Sequence, residues 1–163
     1  MTPIRRPLLL ATVAVLFSAF VGCATTPAPA TIADAAARAP QLRTLTKLLA
    51  DAGLTDTLRG AGPFTVFAPS DEAFKAVPAK TMAELGANKE LLKSVLMYHV
   101  LAGKISSADA KNGNVKTLQG ANVAVGKAGS FVTVEEAVVT EADVAATNGV
   151  IHVIDKVLMP PKP

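Results

Sequence analysis

The hydrophobic period of this chain changes near its midpoint, and that change limits the fold more than any other feature. In the first half, apolar residues recur at helical spacing. Leu42, Leu45, Leu48 and Leu49 share one face, and Leu91, Leu92, Val95 and Leu96 share another. Gly53 supplies a stop after the first helix, and Asn88 a cap before the second. The second half breaks into short β-branched runs: Val115 to Leu118, Asn122 to Val125, Phe131 to Val134 and Ala137 to Val139. Asn112-Gly113, Gly120, Gly126 to Gly129 and Asn148-Gly149 punctuate these runs as hairpin turns do. A last strand is predicted from Val150 to Leu158, closed by Pro160-Pro161. Helices first and antiparallel strands later predict an α+β domain.

Between the two helices lies a strand, Phe64 to Ala68, and then the most polar stretch of the region, Pro69-Ser70-Asp71-Glu72, before Ala73, Phe74 and Val77 resume a helical pattern. Ser70 suits an N-cap, because its hydroxyl accepts from an amide two or three positions on. Asp71 and Glu72 then fall in the first turn, where carboxylates meet the positive end of the helix dipole. A nucleophile elbow needs Gly-x-Ser-x-Gly, whereas Ser70 is flanked by Ala68-Pro69 and Asp71-Glu72. A phosphate site leaves the first helical amides free for an anion; here the chain's own carboxylates fill that place. The tetrapeptide is therefore read as architecture.

Three stretches together carry a family resemblance. Thr65-Val66-Phe67-Ala68-Pro69-Ser70-Asp71-Glu72-Ala73-Phe74 resembles the first signature box of fasciclin domains. Tyr98-His99-Val100 is similar to the family's central Tyr-His motif, and the run from Asn148 to Leu158 to its second box. They occur in the family's order, and the resemblance covers Thr31 to Pro160. It implies a wedge of about seven mostly antiparallel strands packed with several helices, used as an adhesion or matrix-interaction module without known catalysis. It also implies candidate interaction or motif residues: Asp71, then Tyr98 and His99 in a region linked in the family to cell-receptor binding, then Asn148, His152 and Asp155.

The N-terminus obeys other rules. Arg5-Arg6 precede the run Pro7 to Phe17, apolar apart from Thr12, and Ser18, Ala19 and Gly22 are small. This is the pattern of a signal peptide over residues 1–22. Its apolar stretch is shorter than the roughly 20 residues needed to span a bilayer. Residues around Arg5-Arg6 match a twin-arginine signal poorly, which favours the general secretory route. The single cysteine, Cys23, directly follows Phe20-Val21-Gly22, which resembles the lipobox of bacterial lipoproteins with Phe20 where Leu is usual. The resemblance implies acylation of Cys23, with chains such as palmitate, and a mature N-terminus there. Ala24 at the next position implies sorting to an outer membrane in a host with two membranes. The alternative is an unlipidated signal cut nearby, with Cys23 lost or left as a stray thiol. Residues 23–30 form a Pro/Ala linker that would be extended. The domain is expected over residues 31–160, opening with a capping box at Thr31-Ile32-Ala33-Asp34.

Cleavage before Cys23 would remove two of the 16 basic residues and none of the 13 acidic ones. A chain so balanced lacks the basic excess that nucleic-acid binding requires. His99 and His152 are the only histidines, and two imidazoles make a poor zinc site, which normally takes three or four protein ligands. His152 shares a strand face with Val150 and Ile154, so a hydrogen-bonded core histidine is expected. His99 ends a helix, where a histidine suits the negative end of the dipole, and burial near the core is the leading expectation for it and for Tyr98.

The leading expectation is thus a monomeric, non-enzymatic interaction module, lipid-anchored outside the cytoplasm, with a protein or polysaccharide partner of the cell surface or matrix. No cofactor or metal is expected, and the membrane is met only through the anchor. A carbohydrate or small-ligand binder is the second class. There is no Trp and one Tyr, and the rings beyond the signal, Phe64, Phe67, Phe74 and Phe131, stand mostly at positions patterned for the core. The third class is a hydrolase drawing on Ser70, His99 or His152, and Asp71 or Asp155; the sequence shows no substrate site to go with it.

Overall fold

A computed structural model describes residues 30–161. Thr31 opens the first helix, α1 (Ile32–Arg38), by accepting the Asp34 amide on its hydroxyl. A 3-10 turn at Pro40–Leu42 leads into α2 (Arg43–Asp51), and Gly53, at φ +68°, ends that segment before α3 (Thr55–Arg59). Strand β1 (Phe64–Pro69) is followed by α4 (Asp71–Ala76), α5 (Ala79–Ala87), α6 (Lys89–Tyr98) and a three-residue strand β2 (Val100–Ala102). The rest is sheet: β3 (Gly113–Lys116), β4 (Asn122–Ala128), β5 (Phe131–Val134), β6 (Ala137–Ala146) and β7 (Gly149–Ile154).

All seven strands join one sheet in the order β2-β1-β7-β6-β5-β4-β3. Every neighbour is antiparallel except β1 and β7, which run parallel with Phe64 opposite Gly149 and Pro69 opposite Ile154. A parallel pair inside a sheet is covered on both faces, and β7 is buried at all six of its residues. One side of the sheet carries the helices: Val66, Ala68, Ile151 and Val153 pack with Leu42, Leu45, Leu49, Leu92, Val95 and Leu96. Phe67, Leu101, Val123, Val125, Val132, Val134 and Ile154 form a second apolar cluster with Tyr98 and Leu158. Burying these six large side chains from the 3-10 turn, α2 and α6, at about 2 kcal/mol each, is the main force holding the helical layer to the sheet.

The structure differs from the sequence expectations in several places. Gly126 to Ala128, expected in a turn, pair with β5 as the end of β4, and β3 lies at Gly113–Lys116 and not at Val115 to Leu118. The last strand stops at Ile154, because the chain turns at Asp155 and the Leu158 amide bonds the His99 ring in place of a strand. Strand β6 runs to Ala146, seven positions past the expected Val139. Register shifts on either side of Glu141, and Asp143 at φ +59°, break the alternation that would have revealed it. Leu91 points outward from α6, 38% exposed. Phe131, expected in the core, is 67% exposed, because Val132 and Val134 take the core side of β5.

Candidate functional site

Ser70 lies where β1 hands over to α4. Its backbone is extended, and its Oγ accepts the Ala73 N–H at 3.2 Å, so the residue is an N-cap. Asp71 does more than complement the dipole of its own helix. Its Oδ1 accepts the Thr44 N–H at 2.8 Å and so serves the first turn of α2, whose own N-cap Leu42 offers no side-chain acceptor. One polar tetrapeptide therefore terminates two helices. An open concavity of about 670 Å³ lies beside it between Gln41, Thr44 and Glu72, with Glu72 paired to Lys75 at 2.6 Å.

Asn148 joins distant parts of the chain. Its Oδ1 accepts the Ile32 amide at 2.9 Å, one of the amides left free at the start of α1. Its Nδ2 donates to the carbonyls of Leu58 at 2.7 Å and Gly60 at 2.8 Å, at the end of α3, and its own carbonyl accepts the Phe64 N–H at 3.0 Å. The turn can pack this tightly only because Gly149 follows: a Cβ there would lie 2.0 Å from the Phe64 carbonyl oxygen. Alongside, the Ala30 carbonyl accepts the Thr147 N–H at 2.9 Å, so the described chain begins at the β6–β7 turn.

The two histidines are held in opposite tautomers. His99 follows the last turn of α6; its Nδ1–H donates to the Val95 carbonyl at 2.8 Å and its Nε2 accepts the Leu158 N–H at 3.0 Å. His152 uses Nδ1 to accept the Asp143 N–H at 3.2 Å, and donates through Nε2–H to the Ile105 carbonyl at 2.8 Å. In each case the backbone partner fixes the role, since an amide N–H only donates and a carbonyl only accepts. Each neutral ring has one free lone pair and spends it on an amide, which leaves none for a metal. Burial pushes the His99 pKa down from its ordinary 6.5 to about 4, against a smaller opposing effect of the Val95 carbonyl. The ring is therefore neutral at physiological pH and offers no charge to the dipole's negative end; it is buried, as is Tyr98. His152 stacks on Phe67 with ring centroids 5.7 Å apart.

Tyr98 is buried, and its hydroxyl lies 3.1 Å from the Asn122 carbonyl and 3.3 Å from Glu135 Oε1. Burial, reinforced by the Glu135 carboxylate, raises its pKa. Asp155 sits just past β7, where its Oδ1 accepts the Val138 N–H at 2.7 Å. Asp71, Tyr98, His99, Asn148, His152 and Asp155 are thus not gathered into one cleft. They are dispersed along the sheet and its edges, each bonded to backbone.

Two polar residues at work here escaped sequence reasoning. Glu135 adopts φ +54° in the turn between β5 and β6, and its Oε1 accepts the Ala124 N–H at 3.0 Å. Asp143 accepts from both the amide and the hydroxyl of Ser107, which ties the loop after β2 to β6 and lowers the carboxylate's pKa. The only sequence signal for the first was a Glu-Glu pair between two β runs; the second gave none.

The model of the fasciclin domain matches residues 40–160. The chain belongs to the fasciclin domain family. The fasciclin chain is 43% identical to protein sll1483 of Synechocystis over 146 residues, 88% of this chain and 81% of that one. It is 44% identical over 135 residues to immunogenic protein MPB70 of Mycobacterium bovis, covering 80% and 69% of the two chains. Cell surface glycolipoprotein MPB83 of the same species is 42% identical over 135 residues, and this fasciclin chain spans 60% of its length. Among solved structures, the domain pair of the insect cell adhesion molecule Fasciclin I superposes with a TM-score of 0.64 at 21% identity, over 80% of this chain and 51% of that one. That likeness concerns the fold.

Proposed function

We propose that this fasciclin chain is a non-enzymatic adhesion or matrix-interaction module, held in the cell envelope by lipid on Cys23. The observation that carries the non-enzymatic reading is the engagement of every candidate side chain with backbone. Ser70 caps a helix, the two imidazoles have no lone pair to offer a substrate proton, and Asp71 and Asp155 hold amides. A general base must reach a substrate proton, and the two imidazoles are buried with both ring nitrogens bonded to backbone. Relatives whose names describe a cell surface glycolipoprotein and an immunogenic protein support a place outside the cytoplasm. Cys23 itself lies outside the described residues, and the proposal for it rests on its sequence context. Likewise the boundaries proposed, residues 1–22 for the signal, 23–30 for the linker and 31–160 for the domain, rest on the residue pattern. The test is retention of envelope proteins or polysaccharides by the full chain in its host, with a serine-directed activity probe alongside. Labelling of Ser70 by the probe overturns the reading.

Binding of polysaccharide is the second reading, and one observation favours it. Phe131 projects from the sheet at 67% exposure, the geometry in which a ring can stack on a sugar face. If this reading holds, Phe131→Ala abolishes retention on cell-wall polysaccharide.

A further inference from the structure

The segment Lys156–Met159, leaving the end of β7, runs as a ridge between two grooves. On one side Val157 and Met159 face Ala73, Ala76, Val77 and Pro78 across a mainly apolar groove of about 290 Å³. On the other side the same ridge borders a concavity of about 330 Å³ whose opposite wall carries Glu135 and Glu136. Met159 is 44% exposed at the meeting of the two. An exposed thioether side chain adapts to apolar guests of varied shape.

The charges are arranged unevenly. Glu135 is fixed by the Ala124 amide and the Tyr98 hydroxyl, and Asp155, next to the ridge, is fixed by the Val138 amide. Glu135 and exposed Glu136 set two carboxylates along this concavity against the single Lys156 ammonium that lines it. The chain as a whole shows no such acidic bias: it has 16 basic residues against 13 acidic. The ridge also lies away from the chain's point of entry. Ala30 is bound beside the start of β7, whereas the ridge and α4 follow the ends of β7 and β1, at the other end of the parallel pair.

We infer that this paired groove docks a segment of an envelope or matrix protein that carries an apolar side chain next to lysine or arginine. The apolar side chain enters between Val77-Pro78 and Val157-Met159, and the cation meets Glu135 and Glu136. The inference rests on the interaction-module reading above and names the partner chemistry for it. A buried apolar anchor ringed by charges that choose the partner is the usual division of labour at protein interfaces.

The test is titration of the full chain with a short labelled peptide holding one leucine beside two lysines. Two control peptides replace the leucine by serine or the lysines by glutamates. Saturable binding is expected, weakened at least about tenfold by Met159→Asp, and weakened by Glu136→Lys and by added salt. Lys104→Glu, beside the entry of the chain, leaves it unchanged. Equal binding of the control peptides, indifference to Met159→Asp, or no binding at roughly 1 mM peptide overturns the groove assignment. Retention of envelope proteins in the host separates the two levels. Wild type and Met159→Asp holding them equally sinks the groove and leaves the module reading; failure of the wild type to hold any sinks both.

Discussion

His99 couples folding to pH through its neutral, buried ring. Its folded pKa of about 4 lies below the ordinary 6.5, so the unfolded chain takes up the proton first. The stabilisation is complete above pH 6.5 and is lost as pH falls toward 4. Its size is about 3 kcal/mol if the full depression applies. Urea unfolding between pH 7 and 5 should show stability falling on acidification, and His99→Gln should remove the part of that slope due to this ring; an unchanged slope contradicts the assignment. Asn148 presents a different case. Asn148→Ala strands the Ile32 amide and the Leu58 and Gly60 carbonyls at once, and should cost about 3 kcal/mol in the same unfolding experiment, given roughly 1–3 kcal/mol for each unpaired buried group. Ser70 was legible from sequence because a cap acts three residues away. The role of Asn148 was not, because its partners lie 88, 90 and 116 positions off. Sequence context suggests a turn at Asn-Gly but says nothing of what the side chain reaches.

At the scale of elements, the β1–α4 junction and strand β6 mark the two ends of what a sequence discloses. The junction combines local signals, and helices α2, α4 and α6 begin close to where spacing and caps place them. The reach of Asp71 to the Thr44 amide adds a bond between elements that local signals do not encode. Ser70→Ala should cost about 1 kcal/mol through α4 alone. Asp71→Asn keeps a carbonyl oxygen for the Thr44 amide and should cost less than Asp71→Ala, which loses the cap on α2. Thermal melts of the three variants decide this, and equal losses for the two Asp71 variants would remove the amide contact from the account. Strand β6 was hidden because its bulges interrupt the period of two, and its middle, Thr140-Glu141-Ala142-Asp143, reads as a polar loop. Its pairing comes from β7, not from its own pattern.

For the whole molecule, the α+β class and the seven strands could be anticipated, while the strand order could not, because periodicity does not say which strands meet. The same scale governs attachment. If Cys23 is acylated, Cys23→Ser should move the protein from the membrane to the soluble fraction, because acyl chains contribute about 0.8 kcal/mol per buried methylene; fractionation with equal membrane association of both forms sinks the lipid anchor.

The parallel pairing of β1 with β7 also governs when the chain can fold. Phe64 must wait for Gly149, 85 positions further on, before β1 gains its inner neighbour. A chain still growing on the ribosome holds six of its seven strands before that point, yet has nothing to put between β1 and β6. Closing so long a loop before any contact rewards it makes folding slow and late. A chain ending at Asn148 should therefore remain unfolded by circular dichroism and be cut rapidly by protease, whereas the full chain resists. The last strand to be synthesised acts as the commitment step, and everything made earlier stays pliable until it arrives.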